Sequence, residues 1–282
     1  MKASNKLKYR INAGRVAIKK QIEFFHKHFA HNQKDPFDGG GCIAFADFAI
    51  SEKIFAELRK SFVDDIYFSE ESNSIDELFE LNAPYSWILN SIDGKKNYAS
   101  GIPACAISLI LLREGYPIYT YVYDMLRQKI IEGGPKKWLI GNSPRRIPKF
   151  NILGENSRIG IEFPLSEEVS KKLLPLFTKC QLLDMGSSVL NSTYVATGIL
   201  DGCFGFDVKA WNLLVAYSLC LSGGIEFHFI GDSVFPLKQI NFEKLNVKYF
   251  AGTSAFCSYV AGLYKIPIRN KIIPASLDGI IG

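Results

Sequence analysis

No stretch of the 282-residue chain approaches the roughly 18 consecutive apolar residues that a membrane-spanning helix needs. The longest, Ala104 to Leu112, stops at Arg113 and has the length of a strand. The N-terminal sequence MKASNKLKYRINAGR carries charge where a secretory leader carries its apolar stretch. A soluble, cytoplasmic protein without membrane contact is expected. Charge of one sign is scarce as well. Against 28 Asp and Glu stand 33 Lys and Arg, and the excess of +5 is too mild at this length to indicate a nucleic-acid partner. The six Cys, at 42, 105, 180, 203, 220 and 257, form no C-x-x-C pair. That spacing speaks against a zinc site or a disulfide framework, and leaves the thiols as small buried apolar groups. Internal repeats and low-complexity tracts are missing too.

What is present fits a globular protein. Apolar residues make up 48% and charged residues 22%, which excludes a mainly disordered chain. Leu7, Ile11, Val16, Ile18, Ile22, Phe25 and Phe29 recur at near-helical spacing and predict one long first helix. His26, His28 and His31 fall near its end. His26 and His28 point about 160° apart on a helix of 3.6 residues per turn, so they suit a helix C-terminus better than a shared metal. Asp35-Pro36-Phe37-Asp38-Gly39-Gly40-Gly41 is a loop by its turn chemistry, and a second helix is expected from about residue 47 to 62.

Strands are expected at 66–68 and 85–89 and through most of 104–131, broken at Gly115-Tyr116-Pro117. A turn is expected at Gly133-Gly134-Pro135, and Pro144-Arg145-Arg146 is a basic stretch. Beyond residue 150 strands alternate with helices. Strands are expected at 160–163, 181–184, 202–206 and 225–230. The intervening helices are one opened by Ser166 with Glu167 and Glu168, one at 186–197, and one at 210–221 stopped by Gly223-Gly224. An α+β half, 1–150, is followed by an α/β half, 151–282.

Three polar segments stand where strands end or helices open: Ser69-Glu70-Glu71-Ser72, Asn90-Ser91-Ile92-Asp93-Gly94 and Trp211-Asn212. Loops past strand ends gather distant side chains into one cleft, and carboxylates gathered that way bind hard cations such as Mg²⁺. Alone, each has a plainer reading: Glu-Glu-Ser as solvated surface, Asp-Gly as a turn.

In this order and spacing the segments resemble the motifs of the inositol monophosphatase family of Mg²⁺-dependent phosphomonoesterases. That family carries Gly-Glu-Glu-Ser/Thr, then Trp-x-x-Asp-Pro-hydrophobic-Asp-Gly-Thr-x-Asn-Phe, then a Trp-Asp-x-Ala-Ala helix ending in Gly-Gly. The middle motif is matched from Trp87 through Asn90, Ile92, Asp93, Gly94, Lys95, Lys96 and Asn97 to Tyr98, with Gly101-Ile102-Pro103 after it. Ala46-Asp47 at the opening of the second helix adds to the likeness. So do Gly133-Gly134-Pro135-Lys136-Lys137, Gly141-Asn142, Met185-Gly186-Ser187-Ser188 and the run from Tyr194 to Gly202. The resemblance covers about residues 10 to 265.

It implies an α/β fold, a layered αβαβα sandwich, in a homodimer. It also implies Mg²⁺ ions that bind the phosphate of a small phosphomonoester, activate water and neutralise the leaving alkoxide. Glu70, Asp93 and the carbonyl of Ile92 match metal ligands, and Asn90 and Asn212 stand at two more ligand positions. Asp47, Glu70 and position 95 carry the catalytic roles, Asp47 as the acid that supports the family's Thr. Gly94, Lys95, Lys96, Gly186, Ser187 and Ser188 fall at the substrate.

The departures fall on the chemistry. Asn90 and Asn212 replace two carboxylates, Lys95 replaces the Thr, and Gly205 replaces a Glu that contacts the inositol ring. The helix after Trp211 is one residue shorter than the family's. An Asn oxygen can coordinate Mg²⁺ but brings no negative charge, and an ammonium beside the site repels the ion. At an effective dielectric of about 20, each unit-charge interaction at about 4 Å is on the order of 4 kcal/mol. Metal binding is therefore expected to be weakened or lost, giving a catalytically impaired family member. Lys95 could hold a phosphate anion directly, or close the site by pairing with carboxylates. The alternative is an active Mg²⁺-dependent phosphatase for inositol phosphate or another small sugar or polyol phosphate.

Overall fold

Two helices of this chain lack a polar face. Ser188–Ala196 buries every residue after the first, and Ala210–Ser222 buries nearly all of its length. Helices of that kind have to lie between other layers. In the computed structural model of the protein they form the middle of five layers. The structure describes residues 3–30, 41–71, 78–135, 137–141, 152–241, 243, 245 and 247–267.

In chain order the elements are α1 (Ala3–Lys19), α2 (Ile22–Lys27), α3 (Gly41–Arg59), β1 (Ile66–Ser69), β2 (Phe79–Glu80), β3 (Tyr85–Asp93) and α4 (Lys95–Ser100). Then come β4 (Ala106–Arg113), β5 (Tyr116–Asp124), β6 (Lys129–Gly134), β7 (Lys137–Ile140), β8 (Arg158–Gly160), α5 (Glu167–Phe177) and β9 (Gln181–Leu183). The last are α6 (Ser188–Ala196), β10 (Gly202–Phe206), α7 (Ala210–Ser222), β11 (Glu226–Phe229), β12 (Gln239–Ile240), β13 (Lys248–Gly252) and α8 (Ser254–Tyr264).

A six-stranded sheet runs β1-β3-β4-β5-β6-β7, with β1 parallel to β3 and the other pairs antiparallel. A five-stranded mixed sheet runs β11-β13-β10-β8-β9, and β12 pairs with β2. Helices α1 and α3 cover the outer face of the first sheet, where Ile18, Ile50 and Phe55 meet Trp87, Leu109 and Tyr121. On the inner face Ile88, Ile110 and Val122 meet Leu190 and Leu214 of α6 and α7, which also pack on the second sheet. Helices α5 and α8 close the far side, where Leu173 and Phe256 join Ile159 and Phe250. The order is the αβαβα sandwich that the motifs imply. Residues from β1 to β5 and from α6 to β13 share the core of the middle layer. Because helices cover both faces, β4 is buried from Ala106 to Leu112 although its neighbours are antiparallel.

Several boundaries differ from the sequence reading. The long first helix is two helices, broken by a tight turn in which the Gln21 N–H donates to the Ile18 carbonyl at 2.9 Å. Helix α3 begins at Gly41, because Ile43, Ala46 and Ile50 continue its buried stripe, so Asp47 lies within the helix rather than at its opening. Strand β3 carries on through Asn90 to Asp93 instead of ending at Leu89. Gly133 and Gly134 are strand residues of β6, not a turn, and β8 ends at Gly160, where a strand was expected to begin. The caps at Ser166 and Gly223 fall where the sequence puts them, whereas α6 begins at Ser188, capped by Ser187, two residues later than expected. His31, the loop at 35–40, Ser72, Lys136, Asn142 and Pro144-Arg145-Arg146 lie outside the described residues.

Candidate active site

The parallel pair β1 and β3 sets the position of the site. Ser69, the last residue of β1, stands beside Leu89, so the chain leaving β1 and the end of β3 emerge together. Glu70 and Glu71 follow β1 directly. On β3, Asn90 pairs with Ser108 and Asp93 with Ala106. Three steps on one strand against two on the other make a bulge. It brings residues of opposite strand parity to one side, and the Asn90 amide donates to Asp93 Oδ1 at 3.0 Å.

Gly94 then turns the chain into α4 with φ +78°. A Cβ there would also sit 2.8 Å from the Ala104 carbonyl oxygen, so both the dihedral and the space require glycine. The turn delivers Lys95 to the carboxylates. Its ammonium lies 2.7 Å from Asp47 Oδ2, 2.5 Å from Glu71 Oε1 and 3.3 Å from Glu70 Oε2. Asp47 is buried on α3, and its other oxygen accepts from the Ser91 hydroxyl, which is 2.9 Å from that of Ser51. Asp93 is buried as well. Besides Asn90 it accepts from the hydroxyl of Ser187, the N-cap of α6, and from the Val189 N–H in its first turn at 3.2 Å.

The charges do not balance. Three carboxylates surround one ammonium, and Asp93 stands close enough to Glu70 to feel its charge. Burial pushes the Asp47 carboxyl up to about 7 against the pull of Lys95, and the Glu71 charge pushes the same way. Burial raises Asp93 too, against its three donors. For Lys95 burial acts downward, but Asp47, Glu71 and Glu70 outweigh it and hold the ammonium protonated.

Of the residues singled out in the sequence, Asp47, Glu70 and Lys95 are in direct contact, and Asn90, Asp93 and Ser187 form an adjoining hydrogen-bonded set. Ile92 is buried in the core toward α3. Gly186 and Ser188 flank the Ser187 cap, and Lys96 is exposed on α4. Asn212 lies in the first turn of α7, beside the buried Trp211, and its Oδ1 is buried without a hydrogen-bond partner among the described residues. Gly205 pairs with Tyr249 across β10 and β13, and a Cβ on it would be 2.1 Å from the Tyr249 ring. The missing Glu is therefore replaced by a packing contact. Sequence reasoning overlooked Glu71, Ser91 and Ser51. The doubled Glu in the first segment was the available signal for Glu71.

The donor set can be tested against a Mg²⁺ ion. Lys95 takes an oxygen from each of Asp47, Glu70 and Glu71, and Asp93 is engaged by three protein donors. A hard cation needs such oxygens free and the local charge negative. In this arrangement the residues do not fit the ion.

An αβαβα sandwich with a cluster of carboxylates at the exit of two parallel strands defines the class: a layered α/β protein. Comparison narrows it. A sequence model of the inositol monophosphatase family matches residues 5–214, from α1 into α7. The chain belongs to the inositol monophosphatase family. It is similar to the Nus factor SuhB of Pasteurella multocida, 26% identical over 182 residues, 59% of this chain and 64% of that one. It thus spans less than two thirds of that relative's length. Among solved structures, inositol monophosphatase-II from Staphylococcus aureus MSSA476 superposes with a TM-score of 0.72 at 15% identity, covering 90% of this chain and 92% of that one. An IMPase/NADP phosphatase complexed with Mg²⁺ and phosphate has a TM-score of 0.62 at 18% identity, covering 77% of this chain and 79% of that one.

Proposed function

We propose that this protein is an inositol-monophosphatase-like member with a phosphomonoester-type cleft in which Mg²⁺-dependent hydrolysis is impaired, acting as a cytoplasmic homodimer in a binding role. One observation carries the reading: the Lys95 ammonium within 3.3 Å of three carboxylates. A tethered cation stands among oxygens that a divalent ion would need, while Asn90 and Asn212 withhold two further negative charges. Closure of the site describes Lys95 better than capture of a free phosphate anion. An anion approaching it would meet the excess negative charge of Asp47, Glu70 and Glu71. A small phosphomonoester remains the ligand class that the Gly94-Lys95-Lys96 and Gly186-Ser187-Ser188 segments would face. The SuhB relative, named as a Nus factor, and the solved phosphatases bracket the two roles by name.

The second reading, an active Mg²⁺-dependent phosphatase for inositol phosphate or another sugar or polyol phosphate, has one observation in its favour. Among the described residues the buried Oδ1 of Asn212 has no hydrogen-bond partner, and an amide oxygen of that kind could serve as a metal ligand. Titration calorimetry with Mg²⁺ separates the two, together with a phosphomonoester panel assayed with Mg²⁺ and with chelator. The native chain is expected to give neither heat nor turnover. The variant Asn90→Asp, Lys95→Thr, Asn212→Asp is expected to bind Mg²⁺, since two negative charges return and one positive charge leaves. Turnover can lag behind binding, because a misplacement of about 1 Å costs on the order of 10²-fold in rate. Sub-millimolar Mg²⁺ affinity and chelator-sensitive hydrolysis by the native chain would overturn the proposal.

A further inference from the structure

The edge of the second sheet carries a different set of donors. Strand β11 is that sheet's outermost strand. Side chains alternate along a strand, so Phe227 and Phe229 turn to one face and Glu226 and His228 to the other. Phe227 joins the middle core. His228, opposite Phe250 on β13, stacks on that ring at 5.1 Å and so faces α8. Helix α8 packs over the same face and contributes Cys257 from its first turn.

The three elements bring one carboxylate, one imidazole and one thiol together. All three potential ligand atoms lie within 4.8 Å of one another. His228 Nε2 is 3.2 Å from Glu226 Oε2. Nitrogen and oxygen ligands at about 2.0 to 2.2 Å around a tetrahedral Zn²⁺ stand about 3.3 Å apart, so this pair already has the spacing of a chelate. The second Glu226 oxygen accepts from the Ser254 hydroxyl, which fixes the carboxylate's orientation. Outer partners of this kind orient metal ligands. Among the described residues the thiol makes weak contacts, to the Gly252 carbonyl at 3.7 Å and the Glu226 carbonyl at 3.9 Å. Its proton can be given up without the loss of a firm hydrogen bond. His228 and Cys257 are buried and Glu226 is partly exposed, so the carboxylate is the member of the set that reaches solvent.

We propose that Glu226, His228 and Cys257 form a binding site for a borderline-soft divalent transition ion, Zn²⁺ above all, with a fourth position open toward solvent at the edge of β11. The donor chemistry selects the ion. A thiolate and an imidazole suit Zn²⁺ or Co²⁺ and disfavour Mg²⁺, which prefers oxygen alone. On binding, the Cys257 thiol loses its proton to solvent and the sulfur–metal bond forms, with no redox change. The absence of a C-x-x-C pair excludes a knuckle built from adjacent residues. It does not bear on a site that the fold assembles from positions 226, 228 and 257. Nothing in the proposal depends on the Lys95 cleft.

The test uses the full chain, stripped with chelator and titrated with Co²⁺ as an optical stand-in for Zn²⁺. One equivalent is expected to produce the sulfur-to-cobalt charge-transfer band and the intense visible bands of tetrahedral cobalt. Zn²⁺ should abolish both, and excess Mg²⁺ should leave them unchanged. Cys257→Ala should remove the charge-transfer band, whereas Cys180→Ala, which alters the part-exposed thiol elsewhere, should keep it. Glu226→Gln and His228→Gln should each weaken Co²⁺ binding by more than the roughly 10-fold seen on losing an outer-shell partner. These two decide the matter if Cys257→Ala fails to fold. The proposal is overturned by the absence of any thiolate band in the native chain. It is equally overturned by a band that depends on Cys180, or by unchanged affinity in both Glu226→Gln and His228→Gln.

Discussion

Replacing Lys95 by Met keeps the length of the side chain and removes its charge. The ammonium makes three carboxylate contacts, at 2.5, 2.7 and 3.3 Å. Without it Asp47, only 2% exposed, keeps a hydrogen bond from Ser91 but faces no cation. Removing one partner of a fully buried ion pair costs about 3–5 kcal/mol. Two features reduce that here. The Lys95 side chain is 36% exposed, so solvent screens part of the attraction, and Asp47 can take up a proton. A net loss of about 1–2 kcal/mol at pH 8 follows after that screening. At about 2–4 °C per kcal/mol for a chain of this size, the melting temperature falls by roughly 2–8 °C.

The pH dependence carries the sharper information. The folded Asp47 carboxyl sits at about 7, above its unfolded value. Its contribution to stability is therefore fully present below the unfolded value and fades as pH rises through about 7. Without Lys95 the carboxyl moves higher still. The deficit of Lys95→Met should be small at pH 5 and full at pH 8. Urea melts of both proteins at the two pH values measure it. A deficit equal at pH 5 and pH 8, or none at pH 8, refutes the view that Lys95 neutralises buried carboxylates.

Arg10→Ala should cost about 3–5 kcal/mol in a urea melt, because Asp65 loses its two-pronged guanidinium partner at 2.9 and 2.6 Å and keeps only the Trp87 N–H. Lys at position 10 should restore only part of this, since it cannot make both bonds. Gly205→Glu should destabilise by about 1–3 kcal/mol through the clash with Tyr249, and a second change, Tyr249→Ala, should show coupling of the two sites in a double-mutant cycle. Ser187→Ala should cost about 0.5–2 kcal/mol in thermal melts, since it removes the α6 cap and one donor to Asp93.

Motif spacing made the layered fold legible, and turn chemistry made most of the second half legible. Ser166 announces α5 as a cap, and Gly223-Gly224 ends α7. The break after α1 escaped because a tight turn keeps Ile18, Gln21 and Phe25 on one buried side, so the apolar period runs through it. The extension of β3 escaped because Asn90-Ser91 looks like loop chemistry. Its polar groups are satisfied by Asp93, Asp47 and Ser51, which are distant or follow a bulge that no local pattern announces. Strand β13 and helix α8 were not anticipated at all. At the site, the identities of Asp47, Glu70 and Lys95 could be read in order, but their meeting depends on three separate segments. Whether a lysine pairs with one carboxylate or three depends on where Glu71 points, and sequence does not carry that.

The Lys95 contacts join helix α3, the exit of β1 and the start of α4 at a single nitrogen. A divalent ion holding the same three segments would come and go with its concentration, and the segments would loosen each time it left. The ammonium is attached to the chain, and its effective concentration at the site is set by the fold alone. The clasp therefore has no dissociation step and no competitor among the ions of the medium. It stays shut in chelator, and the unfolding of α4 itself opens it.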